Sequence, residues 1–145
     1  MSRLRQIALI VIAFSTGLVG VWATVAPKSF YEDFPGAGRV WVAVDGPYNE
    51  HLVRDVGSLN LALAFVAVLA LISGSTLVAR AAGGAALIYG VPHLLYHATH
   101  LDPYDSDDKV ALVFSLGIAV LAGVLALAPA DRDRAAPTVE DPASA

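Results

Sequence analysis

Three of the four histidines in this chain fall within one short segment, Tyr89-Gly90-Val91-Pro92-His93-Leu94-Leu95-Tyr96-His97-Ala98-Thr99-His100. On a helix His97 lies about 40° and His100 about 20° around the axis from His93, so the three imidazoles share one stripe, with His93 about 10 Å deeper than His100. Tyr89 falls on the same stripe and Tyr96 borders it. Imidazole is a common ligand for zinc, copper and iron, and a pair at i and i+4 grips an ion from one helical face. One helix rarely supplies three ligands to one ion, so a second element has to contribute. The fourth histidine, His51, sits in Asn49-Glu50-His51-Leu52-Val53-Arg54-Asp55, where Asp55 lies about 40° from it on a helix. His93, His97, His100, His51 and Asp55 are therefore the candidate metal ligands, with Glu50 as an alternative carboxylate and a transition metal or haem as the candidate cofactor. Carboxylates beside imidazoles would orient the rings.

A plainer account competes with this one, in which the imidazoles bond to neighbouring carbonyls or to water. It suits His100, which lies outside the apolar run. It suits His93 less well, because polar ionisable groups inside a membrane are costly and mark sites or internal partners. Proton or small-ligand handling is a third use of the same residues. Pro92 frees the carbonyl of Ile88 and can kink the helix beside His93. Asn60 lies about 180° around its helix from His51 and about 140° from Asp55, off their face and with Gly57 and Ala64, which marks it as a structural polar residue making an interhelical hydrogen bond.

Other chemistry is missing. The chain has no cysteine, which excludes disulfides, thiolate ligands and thiol nucleophiles. It contains no Walker loop, no Gly-x-Ser-x-Gly elbow, no His-Glu-x-x-His and no dinucleotide fingerprint. No catalytic residue can be named, and the sequence does not decide whether the protein is an enzyme. Asp102 to Asp108 lacks the glycine and terminal glutamate of an EF-hand and reads as a solvated acidic loop, and Arg54-Asp55 reads as a candidate ion pair.

The elements that must position these residues follow from composition. Of 145 residues 57% are hydrophobic and 15% charged, with a mean hydropathy of +0.64, whereas soluble domains carry about 25% charge. Four runs, 7–26, 56–78, 81–98 and 110–128, contain no Asp, Glu, Lys or Arg. Each approaches the roughly 20 apolar residues that a bilayer core demands. Four buried helices of a soluble protein would leave no chain to cover them. The first run follows Arg3 and Arg5 as a secretory signal would, but it exceeds the about 7 to 15 residues of a signal core, and Pro27 disfavours cleavage after Ala26, so an uncleaved helix is expected. The expected fold is all-α, an integral membrane four-helix bundle with an outer loop between the first two spans. Residues 1–129 form the membrane domain and 130–145 a disordered cytoplasmic tail mixing Pro, Ala and charge.

Arg3, Arg5, Arg80, Arg132 and Arg134 flank one side, while Lys28, Arg39, Arg54 and Lys109 on the other are spread among nine acids. The positive-inside rule then puts both termini in the cytoplasm of a bacterial cell, with the protein multi-pass in the plasma membrane. Outside lie a loop of about 29 residues, 27–55, and the acidic loop 99–109; inside lies only a tight turn at Ala79-Arg80. Trp22, Phe30, Tyr31, Phe34, Trp41, Tyr48, Tyr96 and Tyr104 gather on the outer side, as anchors at the headgroup interface. In the long loop a short helix over 29–34 and a strand over 40–44 are expected, with Asn49 capping the next helix. Small residues at Ala82, Ala86 and Gly90, and at Gly57, Ala64, Ala67 and Gly74, suit close helix packing.

Over residues 7 to 128 this four-span plan, with its aromatic outer loop and histidine-bearing third helix, resembles small four-helix bacterial membrane proteins of the broadly DoxX-like kind. The Ala-, Val- and Arg-rich usage with two lysines looks like that of a high-GC bacterium. The resemblance carries no catalytic residue. Two function classes remain: an accessory or interaction subunit that binds another membrane protein or itself within the lipid bilayer, and a metal- or haem-binding membrane protein, an oxidoreductase for example. A net charge of −4 argues against a nucleic-acid partner.

Overall fold

The computed structural model describes residues 1–128 and is almost entirely helical. Helix α1 covers Arg3–Val25, α2 Pro27–Asp33, α3 Glu50–Ser73, α4 Thr76–Thr99 and α5 Ser106–Leu127. The expected tail lies outside the described residues. Each long helix starts where a side chain or acid can meet the free N–H groups of its first turn. Ser2 accepts from Arg5 N on α1, Asn49 Oδ1 accepts from Leu52 N at 3.1 Å on α3, and Ser75 Oγ accepts from Val78 N on α4. Asp105 occupies the cap position of α5, and Asp107 and Asp108 follow in the first turn, where acids suit the helix dipole.

The four long helices pack side by side in a ring, α1 against α3, α3 against α4, α4 against α5 and α5 against α1. The α1–α3 and α4–α5 contacts are the most extensive. Glycines allow the close approach. A Cβ added at Gly57 would stand 2.8 Å from Thr24 N, and one added at Gly83 would stand 2.8 Å from Gly123 O. Toward the chain's N-terminus and the α3–α4 turn, the core consists mostly of alanine: Ala8, Ala67, Ala70, Ala79, Ala82, Ala122 and Ala126 with Leu9 and Ile12. We call this the turn end and the opposite one the loop end.

Three of the long helices, α1, α3 and α5, are long and apolar enough to cross a membrane among the described residues. The α4 helix matches them with 24 residues, about 36 Å at the helical rise, but the Gly, Pro, Tyr and His it carries dilute its apolar character. Counting charge-free residues measured the absence of ions, not the abundance of hydrocarbon. Large apolar side chains point outward around the ring, including Phe14, Phe65, Ile72, Leu77, Ile88 and Phe114.

Several expectations need correction. The tight turn lies at Gly74-Ser75 instead of Ala79-Arg80: Gly74 adopts the left-handed conformation (φ 64°) that closes α3, Ser75 caps α4, and Arg80 belongs to α4. Hydropathy could not see this, because Ser73, Gly74 and Ser75 are uncharged. The strand over 40–44 is reduced to a two-residue hairpin, Pro35–Gly36 (β1) against Arg39–Val40 (β2), with a cis Phe34-Pro35 bond before it. The short helix starts at Pro27, whose missing N–H costs nothing in a first turn. Arg54 pairs with Glu50 at 2.9 Å and not with Asp55, since adjacent helical residues diverge while i and i+4 align. Arg5, counted among the basic residues that flank the spans on the inner side, is 1% exposed and donates to the Ala128 carbonyl and to Thr76 Oγ1, tying three helices at the turn end.

Candidate functional site

Between the alanine floor at the turn end and the loop end the ring of helices does not close. It leaves a cavity of about 280 Å³. Its walls take Ile12, Ser15, Thr16 and Val19 from α1, Asn60 and Leu63 from α3, Ala86, Tyr89, Gly90, His93 and His97 from α4, and Leu112, Ser115, Leu116 and Ala119 from α5. Phe30, Phe34, Trp41, Val42 and Asp45, all from the connection between α1 and α3, line it at the loop end. All four long helices contribute, and small residues on α4 and α5 keep the space open.

The histidine-bearing face of α4 turns into this space. Tyr89 and His93 stack with ring centroids 5.3 Å apart, and His97 meets His93 edge to face at 4.8 Å. These are the i, i+4 contacts that the sequence spacing dictates. Asn60 reaches them from α3: its Nδ2 donates to Val56 O at 2.9 Å in its own helix and to the Tyr89 hydroxyl at 3.4 Å. That interhelical bond uses the Asn60 amide as donor, so among the described residues the Asn60 carbonyl is left to accept and the Tyr89 O–H to donate. Ser15, Thr16 and Ser115 each donate to a carbonyl one turn back on their own helices, so toward the cavity they can only accept. His97 is 9% exposed, and among the described residues its Nδ1 has no hydrogen-bond partner. An unpaired buried polar atom costs about 1–3 kcal/mol and calls for an explanation.

The other candidate ligands stand elsewhere. His100, at the C-cap of α4, stacks on Tyr96 at 4.3 Å and bonds the Tyr96 carbonyl through Nδ1 at 2.8 Å in the open. His51 pairs with Asp55 at 3.3 Å on an exposed face of α3. Neither lines the cavity. Among the described residues no group of three or more His, Asp or Glu side chains is arranged to hold a metal ion. Angles around a single helix axis placed His51 and Asp55 on one face, but they could not say toward which neighbour that face turns.

The cap over the cavity is aromatic and internally bonded. Trp22, Phe30 and Phe34 meet at centroid distances of 4.7 to 6.0 Å, and Phe34 continues edge to face onto Trp41. Phe30, Trp41 and Tyr104 are buried, so three of the expected headgroup anchors are core residues. The Tyr104 hydroxyl donates to the Trp41 carbonyl at 2.9 Å. The Trp41 indole donates at 2.9 Å to Asp108 Oδ1, which also receives Arg39. Asp108 is thus part of a latch between cap and α5, not a member of a solvated acidic loop. Burial of Tyr104, reinforced by the nearby Asp45 carboxylate, pushes its phenol up to about 12. Sequence reasoning missed Asp45, Trp41 and Asp108 as site residues. Their one legible signal was a tryptophan close to an arginine in the loop, Arg39-Val40-Trp41, and that names no partner. No family model, curated protein or solved structure matches this chain.

Proposed function

We propose that this protein is a four-span membrane protein, both termini cytoplasmic, that binds a small amphiphilic molecule in the cavity beneath its aromatic cap. The observation that carries the reading is a largely apolar cavity walled by all four long helices, whose few polar lining residues include His97, with an unpartnered buried Nδ1, and the hydrogen-bonded pair Tyr89 and Asn60. Ligand sites are typically concave, mainly apolar and furnished with a few orienting polar groups. The volume suits a ligand of about one ring with a short substituent. Support for α4 as the fourth span comes from its outward face, where Leu77, Ile88 and Leu95 are exposed while His93 and His97 line the cavity.

The test uses purified protein in lipid nanodiscs titrated with benzyl alcohol and followed by tryptophan fluorescence. Saturable binding is expected, and it should be lost in Ala119→Phe and weakened in Ala119→Leu, which fill the cavity in two degrees. Folded Ala119 variants that bind as well as the wild type would refute the reading. Topology is open to single-cysteine labelling, since the chain has no cysteine of its own: Gly46→Cys and Asp102→Cys should react from outside intact cells, Ser75→Cys only after permeabilisation.

An accessory role has its own support in one feature. The outward face of α1 bears a groove lined by Ala13, Phe14, Gly17, Leu18 and Val21, with the small residues four apart, a spacing that suits close approach of another helix.

A further inference from the structure

The cavity has a charge bias as well as a size. Among the residues lining it Asp45 alone is charged, and neither Lys nor Arg contributes. Arg39, on the hairpin of the same cap, has its guanidinium committed to Asp108. Phe30, Phe34 and Trp41 line the cavity together with Asp45. Aromatic faces carry negative potential and attract cations, most strongly where water is excluded, and a set of such rings is the usual receptor for a substituted ammonium group. A carboxylate at the same end adds attraction for a cation and repels an anion.

We propose, resting on the cavity reading above, that the occupant is a small lipophilic organic cation, an amine or quaternary ammonium. Its positive end lies at the loop end between Asp45 and the aromatic rings, and its apolar body extends toward Leu63 and Ala119. Asp45 is the residue that discriminates charge, and it does so without holding the fold together, because its side chain is exposed at the cavity mouth.

Benzyltrimethylammonium and neopentylbenzene share a shape and differ by one charge. Both are titrated into the full-length protein in nanodiscs, with Trp41 emission read in a Trp22→Phe background and the neutral compound corrected for its partition into lipid. Asp45→Asn is expected to weaken the cation about threefold, the scale of a solvent-exposed charge contact, and to leave the neutral isostere unchanged. Asp55→Asn, an acid off the cavity, should change neither. Equal affinity of wild type and Asp45→Asn for the cation overturns the proposal. Saturable binding of benzyl alcohol without any response to the cation overturns the charge preference alone. Failure of all three compounds overturns the cavity reading with it.

Discussion

The Trp41 indole donates to Asp108 Oδ1 at 2.9 Å, and through this bond the loop that caps the cavity is held to the first turn of α5. Arg39 binds the same oxygen, so one carboxylate collects two donors from β2 and the residue after it. The cap is therefore tied to α5 by a bond between segments 67 residues apart, beside the packing of Trp41 with Tyr104 and Leu112.

Removing the latch should loosen the cap without unfolding the ring of helices, whose alanine core lies at the other end. In a Trp22→Phe background, Asp108→Ala is expected to shift Trp41 emission to the red and lower the melting temperature. Asp108→Asn keeps an acceptor for the indole and should fall between. An Asp108→Ala emission spectrum identical to its parent would show that Trp41 is held by packing alone.

Tyr104 sets a limit on the alkaline side. Its phenol is neutral and donates to the Trp41 carbonyl in the folded protein, with its ionisation raised from an ordinary value near 10 to about 12. An acid whose folded pKa is raised contributes stability that is fully present below the unfolded pKa and is lost as pH rises through the folded one. Wild-type stability should therefore fall between about pH 10 and pH 12. Tyr104→Phe should be less stable by about 1 kcal/mol at neutral pH, the usual worth of a hydrogen bond, and should lack this alkaline contribution. Parallel pH–stability curves for the two proteins above pH 10 would contradict the assignment.

The glycines divide by what surrounds them. Gly57→Ala drives a methyl to within 2.8 Å of Thr24 N and should cost about 1–3 kcal/mol, the range for overpacking. Gly84→Ala meets nothing within 4 Å and should be neutral or stabilising by up to about 1 kcal/mol through helix propensity. Denaturation of both variants in the same detergent checks the contrast, and equal destabilisation would discredit the α1–α3 crossing.

Ala37 sits in the hairpin turn with φ 56°, between Gly36 and Gly38, whose positive φ values of 97° and 77° carry little strain because glycine lacks a side chain. Left-handed backbone costs a non-glycine residue about 1–2 kcal/mol. Ala37→Gly recovers that and loses part of it to the greater freedom of the unfolded chain, for a net gain of about 0.5 kcal/mol. A fall in stability would place the turn in another conformation.

Helix periodicity made one half of the site readable. It put Tyr89, His93 and His97 on a single stripe because spacing along one helix is a local property, independent of what the helix packs against. Asn49 as the cap of α3 was legible for the same reason. The partners were not. Asn60 looked remote from the histidines because angles were measured only against His51 and Asp55 on its own helix. Its contact with Tyr89 is made across to α4.

Composition and spacing by themselves determined a helical chain with long apolar segments and one polar stripe, since backbone groups in apolar surroundings have to be paired within each helix. Tertiary structure decided which way that stripe faces, that His97 is enclosed while His51 and His100 are open, and that Phe30, Trp41 and Tyr104 turn inward as a roof. It also decided that a cavity exists at all. Alanines close the turn end, where helices approach to small side chains, and the aromatic cap spans the wider loop end. The space between them depends on how four surfaces and a hairpin meet, and no single segment of the sequence encodes that.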